Sequence, residues 1–511
     1  MVSSPPFPPG RLPTEGLPKE ATTAPPPSLH LQGPPQGVSG SESEGPAEQW
    51  ATPPDSPTPE QLDEAEGLSL AWVPASEAAR ALVEALTGQV ADWEATHTDR
   101  KTKRRKVGMT KLRGAVGAVI GGVLRSWARS TPRLTYRSRK AETFSGSPVA
   151  RAQFVAAVDG LRAPGMLGVK EGIRFIQRDY GADFGRVTGG RAGRYWPTAS
   201  LLALATERGI TPATVKDAFD QVIPTKPPKV AQPVVVRSLK VKGQGDPVAM
   251  PVSVLGPDLA RITAEVEAAN AFAAEHQVQG CLPPRWQRLF LASRQLHGRW
   301  YAAGSEGVYQ RMSKEQRAAI TINGEPVAEV DIHASQLSIA HGLLGLTLPD
   351  GDLYEIAGLP RSVVKQWIVA TLGLGKPVRR WAAKTLRKSP EIAAHDPRDV
   401  GRRIVAKYPF LAAPAEALRG PLGLDQLAHL GTPQKLLTHR LAAVEADALT
   451  GVMMVLRPPM GNVLALPVHD GLIVPESALR SIRGDFDVAF GHFAKVRVRL
   501  KVTQQGRTCS L

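Results

Sequence analysis

Cysteine is nearly absent from this chain, with Cys281 and Cys509 the only two in 511 residues. They stand far apart and have no cysteine or histidine at metal-ligand spacing, so neither a disulfide framework nor a zinc finger is indicated. Long apolar runs are missing too: none reads as long enough to span a bilayer. The opening Met-Val-Ser-Ser-Pro-Pro lacks the charged start and apolar core of a secretory signal. A cytoplasmic protein without a membrane partner is therefore expected. No solenoid-type repeat is visible. Acidic residues are the last shortage: 47 against 63 basic ones, which gives a net charge of +16 and favours a polyanion as partner.

What is present divides into three stretches. Residues 1–67 are rich in Pro, Ser, Gly, Thr and Glu, a composition that cannot bury enough surface to offset its ordering entropy, so a disordered tail is expected. From Leu68 the text turns helical, with apolar residues three and four apart, and a mostly helical basic domain is expected over 68–245. Its run Arg-Lys-Thr-Lys-Arg-Arg-Lys, containing Lys103, Arg104 and Arg105, is followed by Arg125, Arg129, Arg133, Arg137 and Arg139. Such residues suit phosphate contact, and equally a solvated charged face. Leu201 to Val222 has Gly209 and Thr211 placed as in a helix-turn-helix, a pattern that any tight helical hairpin shares. Val234-Val-Val-Arg-Ser-Leu-Lys-Val alternates as a strand does, and the third stretch, 246–511, opens shortly after it.

Three patches in that last stretch carry chemistry. In Pro326-Val-Ala-Glu-Val-Asp-Ile-His a short strand delivers Asp331 near its end, before a helix with Leu337, Ile339, Ala340 and Leu343 on one face. In Val463-Leu-Ala-Leu-Pro-Val-His-Asp-Gly-Leu-Ile-Val two strands meet at His469-Asp470-Gly471, where the glycine suits a tight turn. Two carboxylates that face each other repel by roughly 4 kcal/mol at about 4 Å and an effective dielectric near 20. A divalent cation relieves that repulsion, and two such ions support phosphoryl transfer. Between the two patches, Pro360 suits a helix start and places Arg361 and Lys365 one turn apart, where two cations can grip a triphosphate.

In this order the patches resemble motifs A, B and C of family A DNA polymerases and the related single-subunit phage RNA polymerases, over roughly residues 295–505. Asp331 matches the motif A aspartate, His469-Asp470 the motif C pair, and Arg361 with Lys365 the arginine and lysine of the fingers helix that binds incoming nucleotide. Asp352-Leu-Tyr354 resembles the stretch before that helix, and Gly298-Arg299 an element upstream of motif A. The resemblance implies an α+β chain: a helical basic domain, then a palm built on an antiparallel sheet with a reduced helical fingers insertion. It implies two magnesium ions, with manganese as an alternative, held by Asp331, the adjacent Ile332 and Asp470. It also implies nucleoside triphosphates and a primer-template or single strand as partners. Gln336 falls where DNA polymerases carry a glutamate that screens the ribose. Arg299, Gln310, Arg317, His439, Arg440, Glu445 and His469 are the further candidates for contact with template or nucleotide.

Departures are as specific as the matches. Val369 and Gly373 replace the aromatic and bulky residues that the family places after the motif B lysine, and Gly471 stands where its DNA polymerases have glutamate. No text resembling a proofreading exonuclease precedes the patches. The alternative function is a non-catalytic DNA-binding initiator of plasmid or phage replication, using the helix-turn-helix-like segment on a degenerate palm. An unrelated metal-dependent phosphoesterase is a third reading, and no His-rich cluster favours it.

Overall fold

The computed structural model of the chain describes residues 49–98, 102–144, 146–177, 186–228, 232–240, 247–504 and 507–510. Most of the expected tail, and Arg100 with Lys101 of the basic run, lie outside the described residues. The end of that tail is packed. Thr58 caps the helix Pro59–Asp63 with a capping box, and Leu62 is buried. The indole N–H groups of Trp127 and Trp196 donate to the carbonyls of Ala51 and Pro54, both at 2.9 Å. Glu66 and Gly67 pair in parallel with Thr135 and Tyr136. Proline-rich composition hid this order, because an extended segment with few apolar side chains is here held through its carbonyls by two indoles from the following body.

That N-terminal body is centred on the helix Lys106–Trp127, with the helices Glu77–His97 and Arg151–Arg162 against it. Leu112, Val116, Val119, Ile120, Val123 and Leu124 are fully inside. Two glycines allow close approach on the same helix. A Cβ on Gly121 would lie 2.7 Å from the Phe219 ring, and one on Gly122 would lie 2.5 Å from Leu68. By length and composition alone this helix could cross a bilayer, contrary to the expectation that no such run exists; its interspersed Gly, Ala and Thr concealed the run. Its buried face makes it the core helix of the body. A four-stranded sheet completes the layer, in the order Glu66–Gly67, Thr135–Arg137, Gly193–Pro197, Leu167–Lys170.

The helix-turn-helix does not form. After the helix Ala199–Glu207 and the left-handed Gly209, only the single turn Val215–Ala218 follows, and the chain leaves it as the strand Phe219–Gln221. Pairing of that strand with Trp72–Pro74 outweighs the helical pattern. The change of body also falls before Val234, not near residue 245, since Val234–Arg237 pairs in parallel with Trp286–Leu291.

Among the described residues the C-terminal body holds two sheets. One has the order Ala249–Met250, Val234–Arg237, Trp286–Leu291, Ser293–Ala302. In the other, the strand Glu325–Ile332 pairs antiparallel with Gly471–Pro475 on one side and Leu500–Gln504 on the other. Leu466–Val468 and Arg507–Ser510 extend the flanks, again antiparallel. The long helix Pro433–Leu456 packs on the strand Ser293–Ala302 and the helix Leu479–Ala494. Helices and an antiparallel sheet in one body fit the α+β expectation.

The two bodies meet at a buried ionic clasp. Glu306, 3% exposed, accepts from Arg137 Nη1 and from Ser69 Oγ, each at 2.7 Å. Arg137 also donates to the carbonyls of Leu68 and Thr143.

Candidate active site

Strand register builds the site. Asp331 stands directly across from Gly471 on one neighbour and from Lys501 on the other. Directly opposed residues share a face of the sheet, with Cβ atoms about 5 Å apart where both have one. Asp470 is the next residue back from Gly471, in the turn that joins Leu466–Val468 to Gly471–Pro475. The two aspartates expected to pair are thus brought to one point of the sheet. The glycine's part differs from the expected one. His469, not Gly471, takes the left-handed conformation, at φ 51°. Gly471 is required because the sheet is crowded there: a Cβ on it would lie 2.5 Å from the Val330 carbonyl oxygen and 2.6 Å from Asp331 Oδ1.

Electrostatics report the same proximity. Burial, then the negative charges of Glu329 and Asp470, push the Asp331 carboxyl up to about 7. Asp470 also acts on Glu445, Arg299, Tyr354 and Lys365, so these groups surround it. Burial and the Arg299 charge hold His469 below its ordinary value.

Beneath the carboxylates lies a buried acid. Glu445 is 1% exposed on the helix Pro433–Leu456. It accepts from Arg299 at 2.5 Å and from Ser335 Oγ at 2.7 Å. Burial raises its pKa, and the Arg299 guanidinium opposes the rise. Glu445 thus joins the strand that carries Arg299 to the helix Ser335–Leu343 that follows Asp331.

Arg361 and Lys365 lie one turn apart on the helix Arg361–Leu374, as the spacing implied, but in different circumstances. Arg361 is ion-paired with Asp352 and sits over the Tyr354 ring at 5.2 Å. His333 contacts the same carboxylate at 3.0 Å. Lys365 is exposed and makes no hydrogen bond or ion pair with a described residue. Partial desolvation, then Arg361, lower its pKa, while Asp470 opposes the fall. Of the two, Lys365 therefore presents the uncommitted charge near Asp470. Gln336 is half-buried on the second residue of its helix. Val369 is half-buried and Gly373 exposed, with nothing near its missing Cβ.

Other candidates have internal partners or are partly buried. Gln310 accepts from the Ala302 amide and donates to the carbonyls of Trp300 and Pro467, so its amide is spent on positioning the turn strand. Arg317 forms a two-pronged pair with Glu329 and donates to the Met312 carbonyl. Arg440 donates to the Leu422 carbonyl, and burial lowers its pKa. Burial, then the nearby Arg299, lower the His439 pKa. In the N-terminal body Arg104 grips Glu94 through two bonds of 2.6 Å, leaving Lys103 and Arg105 exposed. Arg113, Arg129, Arg137 and Arg139 are likewise paired, with Glu84, Glu66, Glu306 and Asp159. Arg125 lies over the Trp72 ring.

Residues missed by sequence reasoning also reach the site. Lys501 is set beside Asp331 by the strand that follows the last helix, and Lys314 acts on both Asp331 and Lys365. Nothing local marks either, since only pairing between distant strands places them. Glu329 had a usable signal: it lies two residues before Asp331, on the same face of one strand.

No family model matches the sequence, and no curated protein matches it. Among solved structures the chain is similar to the POL domain of Pol1 from M. smegmatis, in complex with DNA primer-template and dNTP. Identity is 13% and the TM-score 0.29, with 88% of this chain and 67% of that chain covered. A likeness of that degree carries no weight for function, which rests on the geometry above.

Proposed function

We propose that the chain is a template-directed nucleotidyltransferase. The observation that supports this is the register of Asp331 with Gly471, which brings Asp470 next to Asp331 at one point of the sheet, with Lys365 near enough to feel the Asp470 charge. Among the described residues no group of three His, Cys, Asp or Glu forms a metal cluster. The donor set is therefore two aspartates, with the main-chain oxygen of Ile332 as the further ligand that an apolar residue can offer. Such a set fits magnesium, which typically takes one or two carboxylates and fills its remaining positions with water and substrate phosphates. The raised pKa of Asp331 fits as well, because a group so crowded by Glu329 and Asp470 gains most from a cation. When bound, the ions would supply charge neutralisation at the attacking and leaving oxygens.

The remaining work falls to the protein's own side chains. Lys365 meets the polyphosphate, and its depressed pKa suits it to giving a proton to the departing pyrophosphate as a 3′-hydroxyl attacks the α-phosphorus in line. Arg361, held by Asp352 and Tyr354, is fixed in direction at the start of the same helix. Glu445 keeps the Arg299 charge beside Asp470. Positioning and electrostatics supply most of the rate in chemistry of this class. The rival initiator loses its reading element, since the segment 201–222 forms no second helix long enough to enter a groove.

The test is extension of a labelled primer on a template by the purified full chain with magnesium and nucleoside triphosphates. Extension is expected, and Asp470→Asn is expected to abolish it. Extension at the same rate in that variant would sink the assignment.

A further inference from the structure

Two stretches of this chain are strongly basic, and the pattern of ion pairing distinguishes them. The first, 103–139, spends most of its arginines internally: Arg104, Arg113, Arg129, Arg137 and Arg139 each face a carboxylate. A paired guanidinium shares its charge with a carboxylate and has less left for a phosphate. The second stretch lies in the C-terminal body. Between Glu355 and Glu391 the chain carries eight Lys and Arg residues and no Asp or Glu. Two of the eight are ion-paired with described residues, Arg361 with Asp352 and Arg387 with Glu64. Lys376, Arg379, Arg380 and Lys384 are exposed and make no hydrogen bond or ion pair with a described residue.

The fold gathers these charges on one surface. The Thr371 hydroxyl accepts from the Val378 amide at 3.3 Å, and the Trp381 indole donates to the His395 carbonyl at 2.7 Å. The turn that carries Arg379 and Arg380 is thereby fixed to the helix Arg361–Leu374 and to the segment before Pro397–Lys407. Between them opens a shallow groove of about 390 Å³ lined by Arg379, Arg380, His395 and Arg398. The one carboxylate on the groove, Asp396, is occupied in capping the helix at the Arg398 amide. Trp381 is 8% exposed and its N–H is spent, so the groove offers cations and no open aromatic face. That chemistry recognises a phosphate backbone and ignores base identity.

We propose that Arg379, Arg380, Lys384 and Arg398 form a track for the phosphates of a single nucleic-acid strand, and that this surface, not the 103–139 run, is the main electrostatic contact with nucleic acid. The helix Arg361–Leu374 has 14 residues and is about 21 Å long, and the Trp367 indole midway along it donates to the Pro397 carbonyl, so the segment that carries Arg398 lies against the same helix. A strand engaged at the carboxylates reaches the groove by following that helix. The proposal deepens the nucleotidyltransferase reading, yet its test does not depend on catalysis.

The experiment measures binding of a fluorescein-labelled oligothymidylate to the full chain in EDTA across a salt series. The parent is compared with Arg379→Gln/Arg380→Gln/Lys384→Gln/Arg398→Gln and with the control Lys103→Gln/Arg105→Gln/Arg133→Gln. Each phosphate contact contributes about 0.7 to the logarithmic salt slope for single strands, so the fourfold variant is expected to lose about 3 from that slope and to bind at least about tenfold more weakly. The control is expected to bind nearly as the parent does. All the substituted side chains are exposed, and the half-buried Arg104 is left intact, so folding is retained; a coincident melting curve checks it. An unchanged slope in the fourfold variant overturns the proposal, as does a larger loss in the control. Loss confined to a blunt duplex, with single-strand binding intact, overturns it too. If the slope falls although the parent extends no primer, the track stands and the polymerase reading fails. If extension occurs while the slope holds, the reverse is true.

Discussion

Gly471 touches Asp331 so closely that a Cβ there would stand 2.6 Å from the carboxylate oxygen and 2.5 Å from the Val330 carbonyl. A larger side chain at this point has no room in this sheet. The glycine is therefore required by the packing of two strands. Gly471→Ala must push the turn away from the strand Glu325–Ile332, and overpacking of this kind costs about 1–3 kcal/mol. A lower melting temperature and weaker manganese binding by electron paramagnetic resonance are expected together. A variant that melts and binds like the parent would show that the strands are not held at this spacing.

Asp331 gives a pH dependence with a definite sign. Its folded pKa of about 7 lies above the ordinary 3.8, so between those values the native state holds a proton that the unfolded chain has lost. Metal-free stability therefore falls as pH rises through that window and levels off above it. Asp331→Asn removes the penalty. The variant is expected to equal the parent near pH 4 and to exceed it at pH 8 by about 1–3 kcal/mol, the full shift being discounted for partial exposure. Magnesium should close the gap by stabilising the parent alone. Denaturant melts at both pH values check this, and a variant less stable than the parent at pH 8 would contradict it.

The pair Arg299 and Glu445 is fixed by burial. Truncating Arg299 to methionine leaves a carboxylate that is 1% exposed with Ser335 as its remaining hydrogen-bond donor. Removing one partner of a buried ion pair costs about 3–5 kcal/mol. Adding Glu445→Gln to Arg299→Met should restore much of that stability, because the stranded charge is gone. Urea denaturation of the two singles and the double measures it. Additive losses in the double variant would show that the two side chains do not depend on each other.

The aspartate pair was legible because Asp331 lies near the end of a strand and Asp470 in the turn between two short strands, whose alternation and turn residues are local signals. The helix Arg361–Leu374 was legible from Pro360 and its apolar spacing. What sequence could not show was which charges are spent. Arg317 and Arg361 look alike as text, yet one is committed to Glu329 and the other to Asp352, each by the course of a neighbouring segment. Gln310 looked like a contact residue and is a bracket for Pro467. Lys501 was invisible because its neighbour Asp331 comes from a strand far upstream. The helix-turn-helix failed for the same reason, since pairing of Phe219–Gln221 with Trp72–Pro74 decided the local conformation.

The clasp at Glu306 ties the N-terminal body to the turn that carries Asp470. Four residues after Glu306, Gln310 donates to the Pro467 carbonyl at 2.7 Å, and the Tyr309 hydroxyl donates to the same oxygen at 2.9 Å. One short segment thus grips Arg137 and Ser69 at one end and the strand before His469 at the other. Glu306→Gln keeps the size of the side chain and leaves Arg137, 8% exposed, without its counter-charge. A loss of about 3 kcal/mol is expected from that stranded charge, against about 1 kcal/mol for Ser69→Ala, which removes one hydrogen bond. Release of the segment should also loosen the Asp470 turn. Weaker manganese binding is therefore expected in Glu306→Gln at temperatures where the variant is fully folded, with faster protease cleavage near residues 223–228 between the bodies. Ser69→Ala should leave manganese binding close to the parent's. If Glu306→Gln loses stability yet binds manganese as the parent does, the clasp holds the bodies together without setting the position of Asp470.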